Sequence, residues 1–354
     1  MNAQLAVSAG QQDRLFRVLQ DEAVQFVCEI LFAAESASLD ELDRALQDAV
    51  LENLGGYLEA LRPAGQAPQD CLEQLAWFET MLMAKGGRPE QVARLNEALA
   101  AFLEKREMPD AQAIAAILRK SPAPGRGVRP QDGLARPSVA WPETSLFEAM
   151  LLDGDERQAV AQLDASLARG DTLLDFEMHV IQPALYSVGS KWQANTISIA
   201  QERLATETAL RVMAVGAQRT PAAEPAGRRI VLACVAGNQH AVGVRMVGDA
   251  FCAAGWAVDC LGADVPCAAL VDYVTRRNPD VIGLSVALAH HLHALRATAE
   301  QLITAFGSRR PGLIAGGLAL QDMSPMSDIS GVDLFGVDAR HAVAHATRLC
   351  RMLE

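Results

Sequence analysis

The first 178 residues contain no histidine, so a haem held there by the usual imidazole is excluded, while ligation by cysteine or methionine stays open. The seven cysteines, Cys28, Cys71, Cys234, Cys252, Cys260, Cys267 and Cys350, form no Cys-x-x-Cys pair. Buried, reduced thiols are expected rather than a zinc site. No apolar run reaches membrane-spanning length, and the first residues lack the basic region and apolar core of a signal peptide. No membrane partner and a cytoplasmic location are therefore expected. A basic face is missing too. The net charge is −12, and the first 120 residues carry 19 acidic against 11 basic side chains. Reading nucleic acid requires cations that displace counterions from phosphates, so no direct nucleic-acid contact is expected.

What is present is ample apolar residue for two or three domains in 354 residues. Residues 1–120 read as a helical module for sensing or dimerisation. Leu15, Val18, Leu19, Ala23, Phe26, Val27, Ile30 and Leu31 recur at helical spacing. Ser38 to Glu41 reads as a capping box, and Pro68 and Pro89 open further helices. Residues 121–140, rich in proline, glycine and arginine, form a linker. Residues 141–218 return to helical periodicity in about four segments, broken at Gly154, Gly170-Asp171 and Asn195-Thr196. A shorter linker covers 219–228.

From 229 to 354 the pattern alternates strand and helix. Expected strands are Ile230 to Ala236, Ala257 to Leu261, Val281 to Val286, Leu313 to Ala315, and one near Leu334-Phe335-Gly336. The predicted fold class is multidomain α + α/β, with a C-terminal doubly wound, mostly parallel sheet of Rossmann-like or flavodoxin-like type. Ligands of such sheets sit past the carboxyl ends of the strands. His240, Ser285 and Gly316-Gly317 all fall there and are expected to converge on one crevice.

The stretch Gly237-Asn238-Gln239-His240-Ala241-Val242-Gly243 follows the first strand. After Gly243 come 41 residues, then Ser285-Val286-Ala287, then 28 residues before Gly316-Gly317. This spacing resembles the cobalamin-binding domain family, whose pattern is Asp-x-His-x-x-Gly, Ser-x-Leu and Gly-Gly. Asn238 stands where the family has Asp, and Ala287 where it has Leu. The resemblance implies a base-off cobalamin with His240 as the lower ligand of cobalt, a slot for the nucleotide tail lined by the glycine pair, and a hydroxyl from Ser285. Met246 in the following helix and Gly336 after the last strand complete the set it implies. Asn238 can accept the imidazole N–H without the charge of Asp, so a weaker His–Co bond is expected. His290, His291 and His293 are expected to start a helix.

Upstream, Gln182 to Leu185, Val188 to Trp192 and Ile197 to Thr206 are similar to the helical bundle that caps cobalamin in methionine synthases and light-sensing cobalamin proteins. That likeness implies that Trp192 and Glu202 pack around the upper ligand. Arg203 stands where the light-sensing branch has a histidine able to bind cobalt. Guanidinium has no lone pair to donate, which puts the bis-histidine end state in doubt. Bundle core for Trp192 and a solvated charge for Arg203 are the structural alternatives.

The order of modules resembles the photocobilins, which combine cobalamin with biliverdin. A biliverdin among the N-terminal helices is what that likeness implies, and a dimerisation or partner-docking bundle is the alternative. Trp77, Phe78 and Met81 fit core better than a chromophore cleft. The expected protein is a non-enzymatic adenosylcobalamin light sensor, a homo-oligomer with an unknown output partner. The rival is a corrinoid carrier for methyl transfer.

Overall fold

The structure, a computed structural model, describes residues 88–105, 111–120, 139–288, 291–320, 329–336 and 338–353, with isolated positions between 22 and 83. It divides into two compact units, Met1–Gln131 and Asp132–Glu354. In the first, α1 (Pro89–Glu104) and α2 (Ala111–Lys120) pack together. Leu95, Leu99, Phe102, Ile114 and Leu118 are buried, and Arg119 bridges Glu97 and Glu104. The expected capping box at Ser38, the helix opened by Pro68, Trp77, Phe78, Met81 and most of the long linker lie outside the described residues.

The second unit opens with a helical cap. Helix α3 (Thr144–Asp153) ends at Gly154, whose φ of 68° is left-handed. Helix α4 (Glu156–Ala168) starts at Asp155, whose carboxylate accepts from Gln158 N at 3.0 Å. Thr172 and Asp175 form a capping box at α5 (Leu173–Phe176), which runs through a π turn (Glu177–Ile181) into α6 (Gln182–Gln193). Ser198 and Gln201 form another box at α7 (Ile199–Arg219).

The π turn has a covalent cause. Pro183 has no N–H to give the carbonyl of His179 four residues back, and its ring crowds that turn. His179 O instead accepts Trp141 N at 3.0 Å and Thr144 Oγ1 at 3.0 Å. The turn widens, Gln182 N donates to Glu177 O, and the start of α3 is pinned to the displaced carbonyl. The Trp141 and His179 rings stack on the same spot, centroids 5.2 Å apart.

The sheet domain consists of β1 (Arg229–Cys234), α8 (Val242–Ala253), β2 (Ala257–Cys260), α9 (Cys267–Arg277), β3 (Val281–Ser285), α10 (Leu292–Phe306), β4 (Gly312–Gly316), β5 (Leu334–Gly336) and α11 (Ala339–Leu353). All strand pairings are parallel, in the order β2-β1-β3-β4-β5. Helices α9 and α10 cover one face and α8 and α11 the other. This is the doubly wound, flavodoxin-like arrangement expected from the sequence, and each strand lies within two residues of its expected bounds. The central strands are buried on both faces, which is why they read as continuous apolar runs rather than alternating ones.

Cap and sheet domain meet along α8. Val242, Met246 and Asp249 recur at i, i+4 and i+7 and so share one face of that helix. Met246, 5% exposed, is buried among the cap residues Phe147, Phe176, Val180 and Met213, and Val242 packs beside it. Asp175 of α5 pairs with Arg340 of α11. Replacing Met246 with Ala removes the apolar knob that joins the two layers. We expect M246A to lose about 2–5 kcal/mol in urea denaturation, with the cap and the sheet domain melting in separate steps.

Candidate functional site

The carboxyl edge of the sheet brings distant residues into one row. Cys234 pairs in register with Ser285, Ser285 with Gly316, and Gly316 with Gly336. The loop after β1 rises above this row beside β3, where the strand order reverses and doubly wound sheets hold their ligands. His240, Ser285, Gly316 and Gly317 thus come together at the edge that their strand-end positions imply, and Gly336 lies beside Gly316.

Asn238, fully buried, organises the loop. Its Nδ2 donates to Ser285 O at 3.0 Å. Its Oδ1 accepts His240 N at 3.0 Å and faces His240 Nδ1 at 3.2 Å. The carbonyl of Ser285 can only accept and the His240 amide can only donate, so the side-chain amide has one permitted orientation. His240 Nδ1 must then carry the proton, leaving the lone pair on Nε2, to which no described residue is hydrogen-bonded. The imidazole is solvent-accessible, yet protein surrounds it on most sides, so it lies in a recess. Desolvation there lowers its pKa from the usual histidine value, with Glu202 opposing and Arg203 reinforcing. A neutral ring with an outward lone pair fits an axial ligand for cobalt.

Glu202 and Arg203, in the first turn of α7, are therefore within electrostatic reach of His240, and the cap contributes to the recess. Glu202 accepts from Thr206 Oγ1 at 3.1 Å, and Arg203 Nε lies 3.8 Å from Glu202 Oε2 with its own side chain mostly in solvent. Trp192 is half-buried near the end of α6, which packs against α7. Gln239 and Gly243 are exposed, Ala241 and Val242 partly so, and Ala287 is half-buried. Met246 lies apart from the recess, in the cap core.

The glycine pair has a backbone reason. A Cβ on Gly317, whose φ is +112°, would stand 2.4 Å from Val286 O, and one on Gly316 would stand 3.2 Å from Gly336 O. Val286 N also donates to Gly316 O at 2.8 Å. The two strand ends touch main chain to main chain, which only glycine allows. Nothing lies within 4 Å of a Cβ placed on Gly243, so that glycine faces open space.

Three supports were not singled out from sequence. Asp264, after β2, accepts Gly237 N at 2.7 Å and donates its own N–H to Asn238 O at 3.0 Å. Cys234 lies beneath the loop, its thiol donating to His240 O at 3.5 Å, and burial pushes that thiol's pKa up to about 12. His291, 4% exposed, has its ring 3.4 Å from where a Cβ of Gly237 would stand. It also begins the helix expected from the histidine triplet; His290 lies outside the described residues. The sequence signal for Cys234 and Asp264 is position at or after a strand end, whereas His291 was named in the histidine triplet as a helix start and not as part of the site.

Asn238→Asp tests the amide. A carboxylate cannot donate to Ser285 O, so an acceptor would face an acceptor, and we expect about 1–3 kcal/mol lost in urea denaturation. The added charge should raise the His240 pKa, which NMR titration of the imidazole would register. Gly317→Ala should cost a comparable ~1–3 kcal/mol, and Gly243→Ala should leave stability unchanged.

Residues 228–345 match the B12 binding domain family, and residues 145–215 match a second family also described as a B12 binding domain. Among curated proteins, the chain is 32% identical over 158 residues to the HTH-type transcriptional repressor CarA of Myxococcus xanthus, covering 44% of this chain and 50% of that one. It is 31% identical over 198 residues to the HTH-type transcriptional repressor CarH of the same organism, covering 55% and 63%. The chain thus spans half to under two thirds of these relatives. Among solved structures, it is similar to a monomethylamine corrinoid protein of Methanosarcina barkeri, with 17% identity, a TM-score of 0.48, and 58% of this chain and 96% of that chain covered. A cobalamin-binding protein of Desulfitobacterium hafniense gives 26% identity and a TM-score of 0.31 over 58% and 98%. The helical cap and the sheet domain of this chain belong to the B12-binding domain families.

Proposed function

We propose that this chain is a non-enzymatic regulatory protein that binds adenosylcobalamin between cap and sheet domain and responds to light. The observation that carries the reading is the fixed tautomer of His240, with Nε2 open to a recess reached by Glu202 and Arg203 of the cap. Nε2 would hold the lower face of the cofactor, and Glu202 and Trp192 would cover the upper side. When bound, adenosylcobalamin supplies a cobalt–carbon bond that light can break. The chain's own part is to hold two modules against opposite faces of one ligand, so that losing contacts on the cap side changes the relative stability of two packings.

Arg203 stays protonated and offers no lone pair, so no second protein ligand is proposed on the cap side. The acidic N-terminal module argues against direct contact with nucleic acid and for output through a partner chain or a second copy of this one. Biliverdin in that module rests on module order alone and enters as one arm of the test.

The test is the absorption spectrum of the full chain reconstituted separately with adenosylcobalamin and with biliverdin, in the dark and after illumination. We expect a light-dependent change with adenosylcobalamin, and in His240→Ala an altered dark spectrum with at least about tenfold weaker binding. Light-stable binding that still needs His240 would favour the corrinoid-carrier reading. A far-red band only with biliverdin would place a second chromophore in the chain, and no light response with either compound would overturn the sensor.

A further inference from the structure

Glu177 is fully buried in the π turn of the cap. Its carboxyl group faces Asp249 of α8 across the seam between cap and sheet domain. Asp249 is partly buried with its Oδ2 enclosed, and among the described residues Arg245, its Nε 3.5 Å from that oxygen, is the cation paired with it. Neither Glu177 oxygen nor Asp249 Oδ2 receives a hydrogen bond from an N–H or hydroxyl donor. Two carboxylates closed together with one guanidinium cannot both stay anionic, because acceptor would face acceptor in a low dielectric. A single proton would resolve the arrangement, with Glu177, the more deeply buried of the two, as the acid and Asp249 as the acceptor beside Arg245.

We propose that Glu177, Asp249 and Arg245 form a proton-dependent clasp that holds the cap on the sheet domain and, through α8, fixes the His240 loop against it. Asp249 shares its helix face with Met246 and Val242, and α8 begins two residues after His240, so the clasp fastens the element that carries the loop. The π turn supplies the other half. Pro183 forces it, and Glu177 is its first residue. The clasp does not depend on which cofactor the recess takes.

Burial first and then Asp249 push the Glu177 pKa up to about 10, with Arg245 opposing. Burial also raises Asp249, against Arg245 and the bond from Glu177. The other charged groups near the turn are otherwise engaged: Glu148 of α3 with Lys191 of α6, and Asp175 of α5 with Arg340. The Cys252 and Cys260 thiols, which feel Asp249 and Arg245, are held up by burial. With the cap lifted, Glu177 would ionise in the ordinary carboxylate range. The closed state therefore binds one more proton than the open one. Clasping is strongest at low pH and weakens by about tenfold per pH unit from the ordinary Glu pKa up to about 10. By reciprocity, opening the cap releases a proton.

Infrared difference spectroscopy of the full-length protein, titrated from neutral to alkaline pH, tests this. The expected result is a protonated-carboxyl C=O band at pH 7, assigned to Glu177 by its shift on carbon-13 glutamate labelling and its loss in E177Q. Gln still donates to Asp249 but cannot ionise. The wild-type unfolding constant, measured in urea relative to E177Q, should rise about tenfold per pH unit between pH 7 and 10. A wild type with no such band at neutral pH overturns the clasp, as do parallel pH profiles for wild type and E177Q. If E177Q fails to fold, the labelled wild type alone decides, through presence of the band at pH 7 and its disappearance on alkaline titration.

Discussion

One buried amide sets the terms for the site. Asn238 donates to a carbonyl on β3 and accepts two N–H groups from His240, and these bonds fix the loop, its register against the switch point, and the proton position on the imidazole. Side-chain amides suit this task because they carry a donor and an acceptor on one rigid plane. A carboxylate in the same place would polarise His240 more strongly but would leave Ser285 O facing another acceptor. The departure from the family pattern at this position is thus matched by a local hydrogen bond that only the amide can make, and the imidazole it supports is a less basic one.

The cap is held by a different logic. A proline in α6 displaces one carbonyl, the displaced carbonyl pins the start of α3, and the widened turn carries Glu177 into the seam with α8. Met246 and Asp249 then meet the cap from the helix that follows His240. Apolar burial contributes to the attachment, whereas the acid pair makes it conditional, because an ionised Glu177 would face the Asp249 carboxylate with one guanidinium, Arg245, to offset both. Cap and loop are in this way mechanically one assembly.

Much of this was legible in the residues. The glycine loop after an apolar run, the serine at the end of β3 and the glycine pair at the end of β4 announced a single crevice, because a parallel sheet with short connections must bring its strand ends to one edge. The helix break at Gly154 was legible as a left-handed glycine, and the breaks read at Gly170-Asp171 and Asn195-Thr196 fall just before the caps Thr172 and Ser198 that the structure shows. Glu177 and Asp249 were not legible. Each sits in an ordinary amphipathic context, where a carboxylate normally points to water, and nothing local says that the two faces meet. Met246 was read as part of the cofactor set, and the structure packs it with the cap residues Phe147, Phe176 and Met213.

The sequence by itself determined the strand order's raw material, the residues at the strand ends, and the chemistry available to them, since these follow from periodicity, chain connectivity and the few side chains able to donate a lone pair. Only the tertiary structure decided the tautomer of His240, the approach of Glu202 and Arg203, and the burial of Glu177 beside Asp249. Each of these depends on which group from a distant segment fills the last few ångströms and on how much water is excluded there, and no local pattern encodes either quantity.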